Sequence, residues 1–484
     1  MSRAICAALV CGLAAAGPAR AEPRTDPTEG RAVFAGAATP SATSIDVNPA
    51  ALALGTTNEV YLGGSLVLDS RSIDTRTLDL ASGALSRGPS IHDTQAGPGG
   101  LLALVLHYKD SATFAAAFHS YPIDMFPSGH ADLEYQTLGG GERIYSAKLS
   151  SSFKLTDELY FGVSIATARR QLHLRYARDT ALEAGHGPGG VDSSCGSGPC
   201  GLGNPNATEI YDVDVQAPWT SLDAFTVDLG ALYVLGKDMY LAAAYHFQPG
   251  VDLVEYGLTG RMTVTRAPRD GGTTVAGGAT VNVQEPTSVD AEFRSRIIGP
   301  YELHVGFRWE NLSRFQAYDV RGYGSTFPSN GIPEWTERPR GYRDPFALWA
   351  GVEQVDAGGV GVTNPEAWRF GGRLGFETAS VDDARTSPIT IDPLSFTVDV
   401  GAAVRFSDSW VLQLTYGLQY YLPVSVTNSA FDPRDRLDCI DSGYDYSTQQ
   451  CQNTRLGYAI ATAAGDYGRI EHALALALRW KPPW

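Results

Sequence analysis

Four cysteines, three arginines and a run of aspartates offer this sequence its chemistry, and their spacing says of what kind. Cys195 and Cys200 frame "CGSGPC", and Cys439 and Cys451 form a second close pair. Such pairs suit two loop disulfides in an oxidising compartment. The competing reading is one four-cysteine zinc site, but CxxC spacing and a histidine at ligand spacing are both missing. Arg308, Arg369 and Arg373 are candidates to clamp a carboxylate, since a guanidinium offers bidentate donors. Asp432, Asp435, Asp438, Asp441 and Asp445 lack the spacing and glycine of a calcium loop, which favours a solvated acidic face. Catalytic patterns fail. "GVSIA" is not a nucleophile elbow, and the nine histidines show no metal spacing. "GGRLGF" and "GGTTVAGGA" lack the strand–turn–helix setting of a phosphate loop. The chain is therefore expected to be no enzyme and to need no cofactor or metal. A net charge of −16 argues against nucleic acid as a partner.

These residues sit on a chain with an export signal at its start. Residues 1–21 read as Arg3, the apolar "AICAALVCGLAAA", then the small-residue cleavage site "ARA". No later apolar run is long enough for a transmembrane helix. The protein is then soluble after export, or it crosses a membrane as a barrel.

Period-2 alternation decides between these. "WVLQLTYGLQYYL" puts Trp410, Leu412, Leu414, Tyr416, Leu418 and Tyr420 on one face, against Val411, Gln413, Thr415, Gly417 and Gln419. "YELHVGFRWE" sets Tyr301, Leu303, Val305, Phe307 and Trp309 against Glu302, His304, Gly306, Arg308 and Glu310. Runs of about ten residues match a tilted membrane crossing, whereas soluble strands average about five or six. Aromatics cluster near the run ends, as girdles do. Short turns ("KDS", "TDE", "LGKD", "GP", a glycine-rich turn near 357–366, "SDS") alternate with long polar loops. Fourteen strands are predicted, over 58–72, 100–108, 112–121, 144–155, 159–176, 223–235, 239–262, 288–298, 300–318, 345–355, 367–378, 394–406, 410–426 and 467–480. The fold class is all-β: a transmembrane 14-stranded antiparallel barrel with both ends on the periplasmic side. On this reading the inward charges, among them Lys148, Lys154, Glu302, Asp399, Arg405, Glu471 and Arg479, make the lumen polar. The last segment closes on an aromatic, Trp484, of the kind the barrel assembly machinery reads.

Residues 22–57 show no strand alternation. A fourteen-strand lumen is too wide for its own wall side chains to fill, so a segment of small residues suits a plug. Pro49 fixes its own φ and pushes Asn48 toward extended backbone, a rigid corner before Ala50.

Here the chain resembles a known family, the long-chain fatty acid transporter (FadL-type) family of outer-membrane hydrophobic-compound channels. The resemblance is carried by "GRAVFAGAAT…DVNPAAL", "FKLTDELYFGVSIATARRQLHLRYA", "VDLGALYVLGKDMYLAAAYHF" and "WRFGGRLGFETASVDDARTSPITIDPLSFTVDVGAAVRFSDSW". It implies an N-terminal hatch over 22–57 with Asn48, Pro49 and Ala50 at its gate, and a barrel over 58–484 in the cell outer membrane. It also implies binding of an apolar ligand between external loops, a pocket above the hatch, and lateral release beside a kinked third strand, "TFAAAFHSYPIDMF". Pro122 is the lateral-opening candidate, since it cannot donate to a ladder; that it merely ends the strand is the other reading. Ligand-binding candidates are Met125, Phe126, Arg308, Phe327, Trp335, Arg369 and Arg373. The expected partners are a long-chain fatty acid or another apolar small molecule and outer-membrane lipid, with the protein a monomer. Two alternatives stand beside this: a porin- or adhesin-like barrel whose plug never opens, and an outer-membrane hydrolase built as a barrel.

Overall fold

The computed structural model describes residues 33–79, 84–109, 111–179, 208–217, 225–248, 256–266, 272–283, 286–354, 368–429 and 459–482. All four loop cysteines and the aspartates of 432–445 lie outside these residues. Fourteen strands build the wall: β1 (Glu59–Asp79), β2 (Leu85–Tyr108), β3 (Ala112–Phe126), β4 (Gly139–Lys154), β5 (Leu159–Asp179), β7 (Phe225–Gly236), β8 (Met239–Phe247), β11 (Ser288–Ile298), β12 (Tyr301–Glu310), β15 (Phe346–Gln354), β16 (Trp368–Glu377), β17 (Ser395–Ser407), β18 (Trp410–Val426) and β19 (Ala459–Trp480). Each pairs antiparallel with the next, and β1 pairs with β19 to close the ring. Closure leaves no edge in the apolar layer, where an unpaired backbone group is costly. No helix of the described residues is long and apolar enough to cross a membrane. The lipid face is read directly from exposure: Leu414 is 49 % exposed, Leu474 50 % and Leu476 53 %, while Gln413, Thr415, Ala473 and Ala475 face inward and are buried.

Two strands expected to be continuous are not. The segment 239–262 breaks into β8 and a separate β9 (Tyr256–Arg266), and 300–318 breaks after β12 into a turn and β13 (Ala317–Tyr323). With β6 (Thr208–Gln216), β10 (Thr273–Val283) and β14 (Trp335–Pro339), these form a second sheet beyond the membrane. It grows from β5, whose lower half pairs with β7 (Leu159↔Tyr233) and whose upper half pairs with β6 (Gln171↔Gln216). The order continues β6–β9–β10–β13–β14. The long external connections are thus partly strands, not loops.

The polarity of β5 inverts along its length. Low on the strand, Phe161 and Ile165 point out to lipid while Gly162 and Ser164 point in. High on it, Leu172, Leu174 and Tyr176 point in and are buried, while His173 and Arg175 are exposed. The inner face of the second sheet continues this with Tyr211, Val213, Val215, Leu258, Met262, Val264 and Val281. Lipid outside demands an apolar outer face; water outside demands a polar one. The switch between Thr167 and Arg169 marks the outer edge of the apolar layer.

Candidate functional site

Residues 33–54 fill the lumen. A short helix, Ser44–Val47, and a 3-10 turn, Pro49–Leu54, bury Ile45, Val47, Ala50, Ala51 and Leu52. Small residues permit this. Ala42, Ile45 and Leu52 pack on Tyr61, Leu101, Ala103, Val105 and Ala115 of β1–β3. Ala37, Ala38, Val47, Ala50 and Ala51 pack on Tyr160, Leu232 and Ala242 across the barrel.

Asn48 is fully buried with extended backbone (φ −154°, ψ 102°) and caps the 3-10 turn, its Oδ1 accepting from Ala50 N at 3.1 Å. Its Nδ2 donates to Ala37 O at 2.8 Å and to the wall at Ala231 O, 3.2 Å. Two facing wall glycines make the room. Gly162 and Gly230 are cross-strand partners on β5 and β7. A Cβ at Gly230 would lie 2.0 Å from Asn48 Oδ1, and one at Gly162 would lie 2.4 Å from Ala50 N. The Asn-Pro-Ala corner therefore rests on bare wall backbone, which only glycine permits.

Wall carboxylates hold the plug's remaining amides, satisfying buried donors that would otherwise be orphaned. Glu353 accepts from Phe34 N (2.6 Å), Glu292 from Ala37 N (3.0 Å) and Ala38 N (3.4 Å), and Glu59 from Ala42 N (3.3 Å). The plug's own carboxylate, Asp46, meets His119 Nδ1 and Lys148 Nζ, each at 3.0 Å. From Lys148 a chain of ions runs round the inner wall. Asp228 lies 2.8 Å from Lys148, His246 2.8 Å from Asp228, Asp290 3.1 Å from His246 and Arg308 3.4 Å from Asp290. Burial raises the Asp46 pKa, but His119 and Lys148 outweigh it and hold the carboxyl well below the usual range.

Above the plug lies a second polar layer. Arg340, fully buried, reaches Asp124 at 2.6 Å, hydrogen-bonds the hydroxyls of Tyr318 and Tyr342, and stacks over both rings and over Phe315. Tyr318 also donates to Glu142 at 2.9 Å, and Glu142 pairs with Arg170. Residues 386–392 fold inward here, with Pro388 O and Ile391 O taken by Arg71 and Arg469 at 2.9 Å each. Cavities of about 10 and 20 Å³ lie in the plug and in this layer, lined by Val33, Phe34, Thr43 and Gln413, and by Arg71, Asp124, Thr390 and Arg469.

The wall is interrupted at one seam. β2 and β3 pair from Tyr108↔Ala112 up to Gly100↔Ser120 and no further, although β2 continues upward as far as Leu85 and β3 as far as Phe126. Continuing the register would set Pro98 against Pro122. Neither has an N–H, so that pair cannot exchange ladder bonds. Pro122 does not end its strand: β3 runs on, its pairing to β4 shifting between Pro122 and Asp124. Opposite lie Gly139, Gly140 and Gly141, all with positive φ (125°, 126°, 158°), a geometry glycine alone tolerates. Side chains close the gap. Pro122 and Met125 sit where a Cβ on Gly97 would be (2.5 and 3.0 Å), and Gln95 donates to Phe126 O. Arg143 reaches from β4 to Pro98 O at 2.8 Å and Ser120 Oγ at 3.2 Å.

The remaining candidates are dispersed. Arg308 pairs with Asp290 and Glu310, Arg373 with Asp399 at 2.9 Å and over the Trp349 ring, and Arg369 sits 5.6 Å from the ring of Phe34. Arg308 stands on β12 and the other two on β16. Phe126 and Phe327 are buried in the core of the upper sheet, whereas Trp335 is 56 % exposed. Lys154, counted among inward charges from alternation, instead pairs with Asp157 at the turn below β4. Pro98, Asp124, Glu142, Glu292, Arg340 and Glu353 escaped sequence reasoning. Pro98 alone carried a signal, as a second proline at matching height in the neighbouring strand.

Comparison with known proteins agrees with this architecture. Residues 7–356 match the family model described as outer membrane protein transport protein (OMPP1/FadL/TodX). No curated protein sequence matches. Among solved structures, the chain is similar to a FadL homologue of Pseudomonas aeruginosa (TM-score 0.70, 15 % identity, covering 96 % of this chain and 100 % of that one). It is also similar to the toluene transporter TodX of Pseudomonas putida (0.62, 13 %, 96 % and 99 %) and to the toluene transporter TbuX of Ralstonia pickettii (0.55, 14 %, 91 % and 94 %).

Proposed function

The chain belongs to the outer membrane protein transport protein family (OMPP1/FadL/TodX), a family of outer-membrane channels for hydrophobic compounds and not of enzymes, and from that premise we propose the following. It admits long-chain fatty acids or similar hydrophobic compounds by diffusion, with residues 33–54 as the gate and the β2–β3 seam, at the outer edge of the apolar layer, as the side exit into the membrane. The observation that carries this is the end of the β2–β3 ladder at Gly100↔Ser120, where the continued register would set Pro98 against Pro122. A closed barrel that loses its ladder at one place, and fills that place with side chains, has a site where an apolar molecule can leave without breaking backbone hydrogen bonds.

The interior favours an uncharged ligand over an anion. Lys148, Arg71, Arg170, Arg308, Arg340, Arg373, Arg469 and Arg479 each already face a wall or plug carboxylate. A ligand carboxylate would have to displace one of these, leaving a buried charge unpaired. The packed plug and polar layer describe the closed state, and passage requires Asp46 and its neighbours to repack.

The test is a disulfide across the seam. With Gly97→Cys and Pro122→Cys, the two Cβ atoms start 3.0 Å apart, and a small parting of the strands brings them to disulfide distance. Uptake of a labelled hydrocarbon and of a labelled fatty acid is measured in the oxidised and reduced protein, beside the unsubstituted chain under both conditions. Oxidation should block both uptakes and reduction restore them. Equal uptake with the bond confirmed by peptide mapping would remove the side exit.

A further inference from the structure

The surroundings of the cations differ between lumen and outer face. In the lumen Lys148, Arg308, Arg373 and Arg469 face carboxylates. Arg143 and Arg169, on the outer face of β4 and β5, are held by neutral groups: Arg143 by Pro98 O and Ser120 Oγ, Arg169 by the side-chain oxygen of Gln216. Neutral acceptors fix a guanidinium without cancelling its charge. The register sets Tyr145 opposite Arg169 and Arg143 opposite Gln171, so the two arginines are diagonal neighbours on one face, about 7–8 Å apart at the backbone. They stand at the height where β5 changes from apolar to polar, the level of lipid headgroups. Asp212 and Asp214 lie farther out, opposite Arg175 and His173 on β5, with Arg261 of β9 beyond Asp214.

Directly beneath, on these strands and their neighbours β3 and β7, the lipid face is hollowed. Ala116 and Ala147 form a low floor bordered by Phe118, Leu149, Ile165 and Phe225, an open trough of about 720 Å³. A basic pair at headgroup height above an apolar trough matches one molecule with a phosphate at one end and acyl chain at the other.

We propose that a phosphate-bearing lipid of the outer leaflet occupies this face, its phosphate between Arg143 and Arg169 and its acyl chain in the trough below. The site faces the membrane and is separate from the lumen. It rests on the chain's place in the outer membrane, and it shares Arg143 with the seam.

Native mass spectrometry of the detergent-purified full chain tests this, with lipid A and dephosphorylated lipid A as probes. The chain should retain lipid A, and the Arg143→Gln/Arg169→Gln variant should bind it roughly thirtyfold more weakly, the scale for two basic side chains at a charged interface. Arg169→Gln alone, which leaves the Arg143 stitch across the seam, should lose part of the binding. Arg175→Gln, whose arginine already faces Asp212, should lose none. Heat-modifiable migration confirms that each barrel is folded. Inorganic phosphate should not displace the lipid, because the trough holds the chain. Equal retention by the double variant, equal retention of dephosphorylated lipid, or displacement by phosphate alone would each overturn the assignment.

Discussion

Two regions of this molecule use the same alternation with opposite sign. In the membrane wall, Leu412 and Leu414 face out, and Gln413 and Thr415 face in. In the upper sheet, Val213 and Val215 face in, and Asp212 and Asp214 face out. A single strand, β5, carries both patterns. Alternation therefore reports which faces differ, and the medium outside decides which face is apolar. The lumen follows from this: lined by the polar face below, it is filled by ion pairs and a small-residue plug, and above by an ordinary apolar core.

The comparison is broken most severely by reversing charge placement. Val213→Arg puts an unpaired charge into the core of the upper sheet and should cost about 3–5 kcal/mol. Limited proteolysis should then cut the upper sheet while the barrel stays heat-modifiable. Asp214→Leu, one residue away and facing water, should change little. The opposite holds in the wall. Leu414→Arg should cost about 2–4 kcal/mol near the bilayer midplane, read from urea unfolding in lipid vesicles. Equal tolerance of Val213→Arg and Asp214→Leu would mean the inversion on β5 is not the membrane boundary.

This inversion also explains what could be read in advance. All fourteen wall strands were legible, because each runs long with apolar residues on one face. The upper sheet was not. Its inner face mixes Tyr211, Val213 and Val215 with Gly260 and Ala279, and β10 reads as a glycine-rich loop, "TTVAGGATVNV". Strands of that kind gain their stability from neighbours far along the chain, which local pattern cannot report. The corner at Asn48 was visible as turn chemistry. Its seat on Gly162 and Gly230 was not, since a glycine in a strand has many uses. The carboxylates that bind the plug look, in sequence, like any lumenal charge.

The two regions meet at Tyr318 of β13, whose hydroxyl bonds both Glu142 of the wall and Arg340. Tyr318→Phe keeps the ring and its stacking but removes bonds to two charged groups, a loss of about 1.5–3 kcal/mol. The upper sheet should loosen at lower denaturant while the wall keeps its midpoint. A single shared transition, moved as a whole, would show instead that sheet and barrel unfold as one unit.

The smallest effect expected on stability belongs to Asn48, and it separates gate from wall. Asn48→Ala removes the bonds to Ala37 O and Ala231 O and the cap on Ala50 N. A lost cap and bonds of this kind cost about 1–2 kcal/mol. That cost falls on the plug, because the barrel is held by closed strand pairing to which Asn48 contributes nothing. Barrel unfolding should therefore match the unsubstituted chain. Uptake of a labelled hydrophobic compound should fall, measured at equal surface expression beside the exposed Thr57→Ala. A fall is expected over a leak for a physical reason. The plug remains pinned by Glu353, Glu292 and Glu59, so a loosened corner shifts within the lumen without leaving it. Uptake and small-solute leakage both unchanged would mean that the corner is a linker turn into β1, and that the gate moves elsewhere in the plug.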